Sequence, residues 1–201
     1  MSPAGPSPVA PSAAVFAGSI SPVGAERLPY SWRPGCPVPV ERLRLLTVSY
    51  WDFSGARRTG ELVVHEDQAE QVLSVMKRLF ELRFPIDRME LVDRYQGDDD
   101  RSAAADNTSA FNCRWVTGRP GVWSEHSYGW AIDLNPVQNP YVVSGKVSPP
   151  SAARYQDRSQ KLPGMIHAGD TVVRAFASIG WRWGGGWSNP RDYQHFSATG
   201  R

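Results

Sequence analysis

The chain has 201 residues, 41% hydrophobic and 11% aromatic, which suits one domain with a sizeable core rather than a disordered chain. A net charge of +2 gives no basis for nucleic-acid binding, so no nucleic-acid partner is expected. No apolar run approaches the roughly 18–20 residues needed to cross a bilayer, so no transmembrane segment is expected either.

Residues 1 to about 35 are dense in Pro, Ala, Ser and Gly. Such a composition buries little apolar surface, and a flexible leader over 1–35 is predicted, with the folded domain running from 36 to 201. No basic stretch followed by an apolar one is visible near the N-terminus, so no export signal can be read there. Leu43 to Asp52 and Glu61 to Val64 read as two strands around the turn-like Phe53-Ser54-Gly55-Ala56, a hairpin. From Asp67 to about Leu82 the period becomes helical, with Ala69, Val72, Leu73, Met76 and Phe80 on one face and Pro85 as the stop. Asp87 to Tyr95 is predicted as a short strand, and the polar, acidic Gly97 to Asn107 as a loop. Val172, Val173, Phe176 and Ile179 mark a second helix, with Asp170 as N-cap and Gly180 as C-terminal stop. Trp181-Arg182-Trp183 reads as a strand followed by a glycine turn. Strands and helices mix without a βαβ rhythm, which places the fold in the α+β class. The two cysteines, Cys36 and Cys113, are not a CxxC pair, which excludes a thiolate zinc knuckle. They suit one disulfide in an oxidising compartment, with two buried free thiols as the alternative.

Histidine is scarce, and two of the four stand in unusual company. The first segment runs Ser124-Glu125-His126-Ser127-Tyr128-Gly129-Trp130-Ala131-Ile132-Asp133-Leu134-Asn135-Pro136, and the second Asp192-Tyr193-Gln194-His195-Phe196. Gly129 permits a sharp bend that brings the His126 imidazole over a strand from Trp130 to Leu134. Alternation along that strand puts Asp133 on the face opposite Ile132. Asp192 and His195, three apart, point the same way in a helical turn or tight loop. Two imidazoles and a carboxylate (His126, Asp133, His195) are a ligand set that suits catalytic zinc, Zn2+, with a fourth position left for water. Asp192 is then the spare carboxylate, suited to take a proton from the attacking water and pass it to the leaving amine. From spacing alone, a capping Asp beside a structural His is an equally good reading.

The combined order Ser-x-His-x-Tyr-Gly-x-Ala-x-Asp-x-Asn-Pro, then Asp-x-x-His-Phe, resembles the VanY-type zinc D-alanyl-D-alanine carboxypeptidases and L-alanyl-D-glutamate endopeptidases, which share a fold with the hedgehog signalling domain. The resemblance spans about 36 to 197 and includes Ala110-Phe111-Asn112-Cys113-Arg114, Asn139-Pro140-Tyr141 and Gly180-Trp181. It implies a hedgehog/DD-peptidase-like fold, an antiparallel sheet carrying the zinc site with helices packed on its other face. It implies metal ligation by His126, Asp133 and His195, a catalytic Asp192, and Arg114 near the substrate as oxyanion stabiliser or carboxylate clamp. Ser124 matches a family serine that binds substrate or orients His126. Many D,D-peptidases of the family carry Glu where Asp192 stands, and the endopeptidases often carry Asp, which leans towards an endopeptidase. The implied function is a secreted or wall-associated, monomeric zinc peptidase acting on peptidoglycan stem peptides. The alternative is a zinc-bearing, non-catalytic module that binds cell wall or peptide.

Other features carry less. His65-Glu66 begins like HExxH, but position 69 is Ala, and His65 is expected near a helix start. His167 lies in a Gly-flanked loop and is expected to be exposed. Asp98-Asp99-Asp100 does not fit an EF-hand and reads as a solvated loop that borders the cleft at most. Trp181, Trp183 and Trp187 are expected in the core or cleft wall, with stacking on sugars as the other use. Gly184-Gly185-Gly186 lacks the Lys-Ser/Thr of a phosphate loop, and there is no GxSxG elbow.

Overall fold

A computed structural model describes residues 15–201. The predicted leader falls partly outside these residues. The part that is described is not a free tail. Gly18–Pro22 forms strand β1. It pairs antiparallel with Leu43–Trp51 (β2), which in turn pairs with Arg57–His65 (β3). Val23 and Leu28 are buried, and the Ser31 hydroxyl and backbone N–H both donate to Asp93. Composition averaged over 1–35 hid these few anchors. Ladder bonds to β2 hold a segment that is too polar to fold by burial alone.

The β2–β3 hairpin appears as predicted, but β3 begins at Arg57 rather than Glu61. Arg57, Arg58 and Thr59 are exposed and pair with Trp51, Tyr50 and Ser49, so backbone pairing rather than an apolar pattern extends the strand. Helix α1, Ala69–Glu81, buries Ala69, Val72, Val75, Met76, Leu79 and Phe80 against this sheet. It stops before Pro85 can act. Arg83 turns left-handed (φ 52°), and Phe84 N–H closes on the Leu79 carbonyl at 3.0 Å.

The next stretch departs from expectation. Only Arg88–Met89 (β4) is strand; residues 92–95 form a 3-10 turn. The predicted acidic loop holds helix α2, Asp99–Ala104, capped by Asp98, whose carboxylate accepts from Arg101 N–H at 3.0 Å. Carboxylates at a helix N-terminus satisfy free N–H groups and the dipole, so the acidic run starts a helix. Asn107–Thr108 (β5) pairs parallel with β4.

Two small hairpins follow: Trp115–Val116 (β6) with Arg119–Trp123 (β7), and, after Ala131–Asp133 (β8), Tyr141–Val143 (β9) with Lys146–Ser148 (β10). Helix α3, Thr171–Ala177, has the expected ends: Asp170 accepts from Val173 N–H at 2.9 Å, and Gly180 turns left-handed. Arg182–Trp183 (β11), Arg191–Asp192 (β12) and His195–Ser197 (β13) finish the chain. The strands form small sheets ordered β1-β2-β3, β10-β9-β12 and β11-β13-β8, plus two two-stranded pairs, rather than the single sheet expected. The mixture of short antiparallel sheets and few helices fits the α+β class. One main core joins α1, α3 and the inner faces of the larger sheets, with Phe176 stacked on Phe196 at 3.9 Å between centroids. Among the described residues no helix is long and apolar enough to cross a membrane.

Candidate metal centre

The site is built on the β8–β13 pair. Their register sets His195 opposite Asp133 and Phe196 opposite Ile132. Side chains alternate across a sheet, so Ile132 and Phe196 enter the core while Asp133 and His195 stand together on the other face. Asp133 is fixed from its free edge too, exchanging two backbone hydrogen bonds with Ser109 at 2.9 and 3.0 Å.

His126 arrives on a 3-10 turn, Glu125–Tyr128. The Ser124 hydroxyl caps that turn by accepting from His126 N–H at 3.3 Å. Gly129 ends it with φ 68°, and its carbonyl accepts from His65 N–H at 3.0 Å. A Cβ at 129 would lie 2.4 Å from the His65 nitrogen, so the turn is pressed onto the end of β3 where only glycine fits.

The three side chains meet. His126 Nε2 lies 3.2 Å from Asp133 Oδ2 and 3.2 Å from His195 Nδ1, and His195 Nδ1 lies 2.9 Å from Asp133 Oδ1. All three residues are buried, and they are the one group among the described residues whose ligand atoms converge this way, within 4.8 Å of one another. The outer ring nitrogens settle how the imidazoles face. His126 Nδ1 is 2.6 Å from the Ala110 carbonyl, and His195 Nε2 is 2.8 Å from the Arg201 carbonyl. A carbonyl only accepts, so each outer nitrogen carries the proton. In the neutral rings both inner nitrogens then turn lone pairs towards a carboxylate. Three converging acceptors with outer N–H groups anchored on carbonyls are the arrangement a divalent metal satisfies, and this group is able to hold one. In the metal-free protein a proton takes part of that role. Burial disfavours charge on His195, yet its bond to Asp133 overrides this and pushes the imidazole up to about 9.

Asp192 lies beside this group on β12 rather than on the helical turn considered from spacing; Tyr193 and Gln194 carry the chain across to β13, between two sheets. Its Oδ1 is buried without a partner among the described residues. Burial first, and the Asp133 charge second, push its carboxyl up to about 7. The glycine run finds its use here. A Cβ on Gly184 would lie 2.8 Å from the Asp192 carbonyl oxygen, so the 3-10 turn at Gly184–Gly186 packs directly against the acid.

Arg114 is held at its backbone by the fully buried Ser127, whose hydroxyl accepts from Arg114 N–H at 2.9 Å and donates to its carbonyl at 2.7 Å. Its guanidinium pairs with Asp99 at 2.7 Å, while Nε is buried without a partner among the described residues. Sequence reasoning missed Ser127 and Asp99. Ser127 carries no signal beyond its neighbour His126, and Asp99 stands in an acidic run whose composition suggests a solvated loop. His65 caps the turn before α1, with Nδ1 accepting from Asp67 N–H at 3.2 Å, and it stands outside the metal group. His167 is also outside it and half-buried rather than exposed. The tryptophans divide. Trp181 is core, Trp183 donates to the Tyr193 carbonyl at 2.8 Å, and Trp187 lies 5.6 Å from the His195 ring. Two surface depressions, of about 740 and 350 Å³, are lined by neither the metal group nor Asp192.

Cys36 and Cys113 form a disulfide with Cα atoms 5.9 Å apart. It ties the segment after β1 to the residue before Arg114.

No curated protein and no solved structure matches this chain. A family model described as D-alanyl-D-alanine carboxypeptidase matches residues 117–198, a span that holds Ser124, His126, Asp133, Asp192 and His195 and leaves out Arg114. Over that span the chain is similar to peptidases, and the match supports the family resemblance that its motifs carry.

Proposed function

We propose that this protein is a zinc-dependent peptidase of bacterial peptidoglycan with a hedgehog/DD-peptidase-like fold, cutting a stem peptide as a D-Ala-D-Ala carboxypeptidase or an L-Ala-D-Glu endopeptidase. The observation that carries this reading is the convergence of His126, Asp133 and His195 beside the half-buried Asp192, whose buried Oδ1 has no hydrogen-bond partner among the described residues. Zinc held by those three would supply a Lewis acid that polarises the scissile carbonyl and makes water nucleophilic near neutral pH.

The remaining work falls to the chain's own residues. Asp192, a carboxyl with no partner for its buried Oδ1 among the described residues, accepts the proton from the attacking water and delivers it to the departing amide nitrogen. Arg114 supplies positive charge for the developing oxyanion or for a substrate carboxylate, and Asp99 and Ser127 hold it in place. Ser124 acts by orienting His126, since its hydroxyl is engaged in the cap. A non-catalytic zinc module has no use for an uncommitted carboxyl, which weighs against that alternative. The Cys36–Cys113 bond supports an oxidising setting outside the cytoplasm, at the cell wall.

Mass spectrometry of defined stem peptides, incubated with the protein with and without chelator, tests the reading. Chelator-sensitive loss of a terminal D-Ala makes it a carboxypeptidase. Release at L-Ala–D-Glu makes it an endopeptidase. Absence of any product with zinc supplied overturns the proposal.

A further inference from the structure

The following rests on the peptidase reading and concerns how that site holds its substrate. In the β9–β12 pair, Tyr141 stands opposite Asp192 and Val142 opposite Arg191. Directly opposed residues of an antiparallel pair project to the same face, with Cβ atoms roughly 4.5–5.5 Å apart. Tyr141 is therefore beside Asp192 on the side of the metal group. Val142 and Arg191 turn to the back, where they line the separate 350 Å³ depression.

The Tyr141 side chain is half-buried, and its hydroxyl makes no hydrogen bond within the described residues and is open to solvent. Burial and the nearby Asp192 charge both push the phenol above its usual value, so it keeps its proton at neutral pH. A neutral phenol is a hydrogen-bond donor, and one that is partly enclosed normally has an acceptor to serve.

The position says which part of a substrate supplies that acceptor. Strand order β10-β9-β12 puts β9 on the side of Asp192 where the sheet continues to β10. Neighbouring strands are about 4.8 Å apart and successive residues of an extended peptide about 3.3–3.6 Å. If Asp192 protonates the departing nitrogen, the residue attached to that nitrogen lies within reach of the Tyr141 side chain on the neighbouring strand. We propose that Tyr141 is a substrate-binding residue that donates to an acceptor oxygen on the leaving amino acid, its carbonyl or its terminal carboxylate. Tyr141 thus recognises the residue on the C-terminal side of the cut, and an alkylamine leaving group escapes it.

The test compares zinc-loaded wild type and Tyr141→Phe on three substrates: the stem peptide, the same peptide amidated at its C-terminus, and an alkylamide whose leaving group carries no oxygen. The expected result is a loss in kcat/KM for Tyr141→Phe on the stem peptide of about 3- to 10-fold if the acceptor is a carbonyl and about 10- to 100-fold if it is the terminal carboxylate. On the alkylamide the two enzymes should agree within about two-fold. A loss that persists on the amidated peptide assigns the acceptor to a carbonyl, and a loss confined to the free acid assigns it to the carboxylate. Zinc content and melting temperature should not change. A wild type that cleaves the stem peptide while Tyr141→Phe matches it, or loses equally on all three substrates, overturns the Tyr141 assignment alone. A wild type that cleaves none of the three overturns the peptidase reading together with it.

Discussion

Replacing the disulfide by Cys36→Ala and Cys113→Ala should separate stability from site geometry. The bond closes a loop of 77 residues, for which chain entropy alone gives about 4.5 kcal/mol at 25 °C through restriction of the unfolded chain. Residual structure in the unfolded chain reduces that figure, so a loss of about 2–4.5 kcal/mol is expected. The folded contacts around the bond do not depend on it. Cys113 N–H donates to the Ser31 carbonyl at 2.9 Å, Arg33 donates to the Cys113 carbonyl at 2.8 Å, and Ser127 grips Arg114 from the other side. Well below the unfolding transition the variant should therefore keep wild-type zinc content and turnover. Urea unfolding followed by tryptophan fluorescence gives the stability, and elemental analysis of the same samples gives the metal. A difference below about 1 kcal/mol would refute the loop-closure argument.

Other perturbations address the site itself. Gly129→Ala places a Cβ 2.4 Å from the His65 nitrogen at φ 68°, so a left-handed penalty adds to a backbone clash. The expected cost is about 2–5 kcal/mol with weakened zinc affinity, read by urea unfolding and competition with a chelating dye. Asp99→Ala frees the Arg114 guanidinium and should lower kcat/KM by roughly 5- to 10-fold while zinc content stays constant, as steady-state kinetics will show. Asp192 holds its proton up to about 7 in the folded, metal-free protein against an ordinary 3.8, so the folded state binds more protons between those values and loses stability as pH rises through them. Asn mimics the protonated acid and escapes that loss. In chelator, Asp192→Asn and wild type should melt together near pH 4, and the variant should melt higher at pH 8.

The sequence announced those features whose cause is local. Asp170 and Gly180 bounded α3 because capping chemistry is written in single residues. The stripe from Ala69 to Phe80 marked α1 because one face is buried. The bend at Gly129 and period-2 alternation allow His126 to meet Asp133, but spacing alone fits a capping Asp equally well, and it is the resemblance of the combined motifs that singles out the set with His195. What escaped depends on partners distant in the chain. β1 is strand because β2 offers an edge to it, and nothing in Gly18–Pro22 says so. Asp99 looked solvated because its partner, Arg114, lies fifteen positions away on another element. The two-residue strand β12 is too short for any pattern to show, yet it positions the acid.

In the proposed mechanism Asp192 moves the proton while His126, Asp133 and His195 hold the metal. This division of roles is tested most directly by the rate of stem-peptide cleavage by Asp192→Asn, measured on samples whose zinc content is known. The account predicts zinc content equal to wild type and a rate lower by about 10²- to 10⁴-fold, the range for loss of a general acid–base group. Cleavage within a few-fold of wild type by the zinc-loaded variant would contradict it.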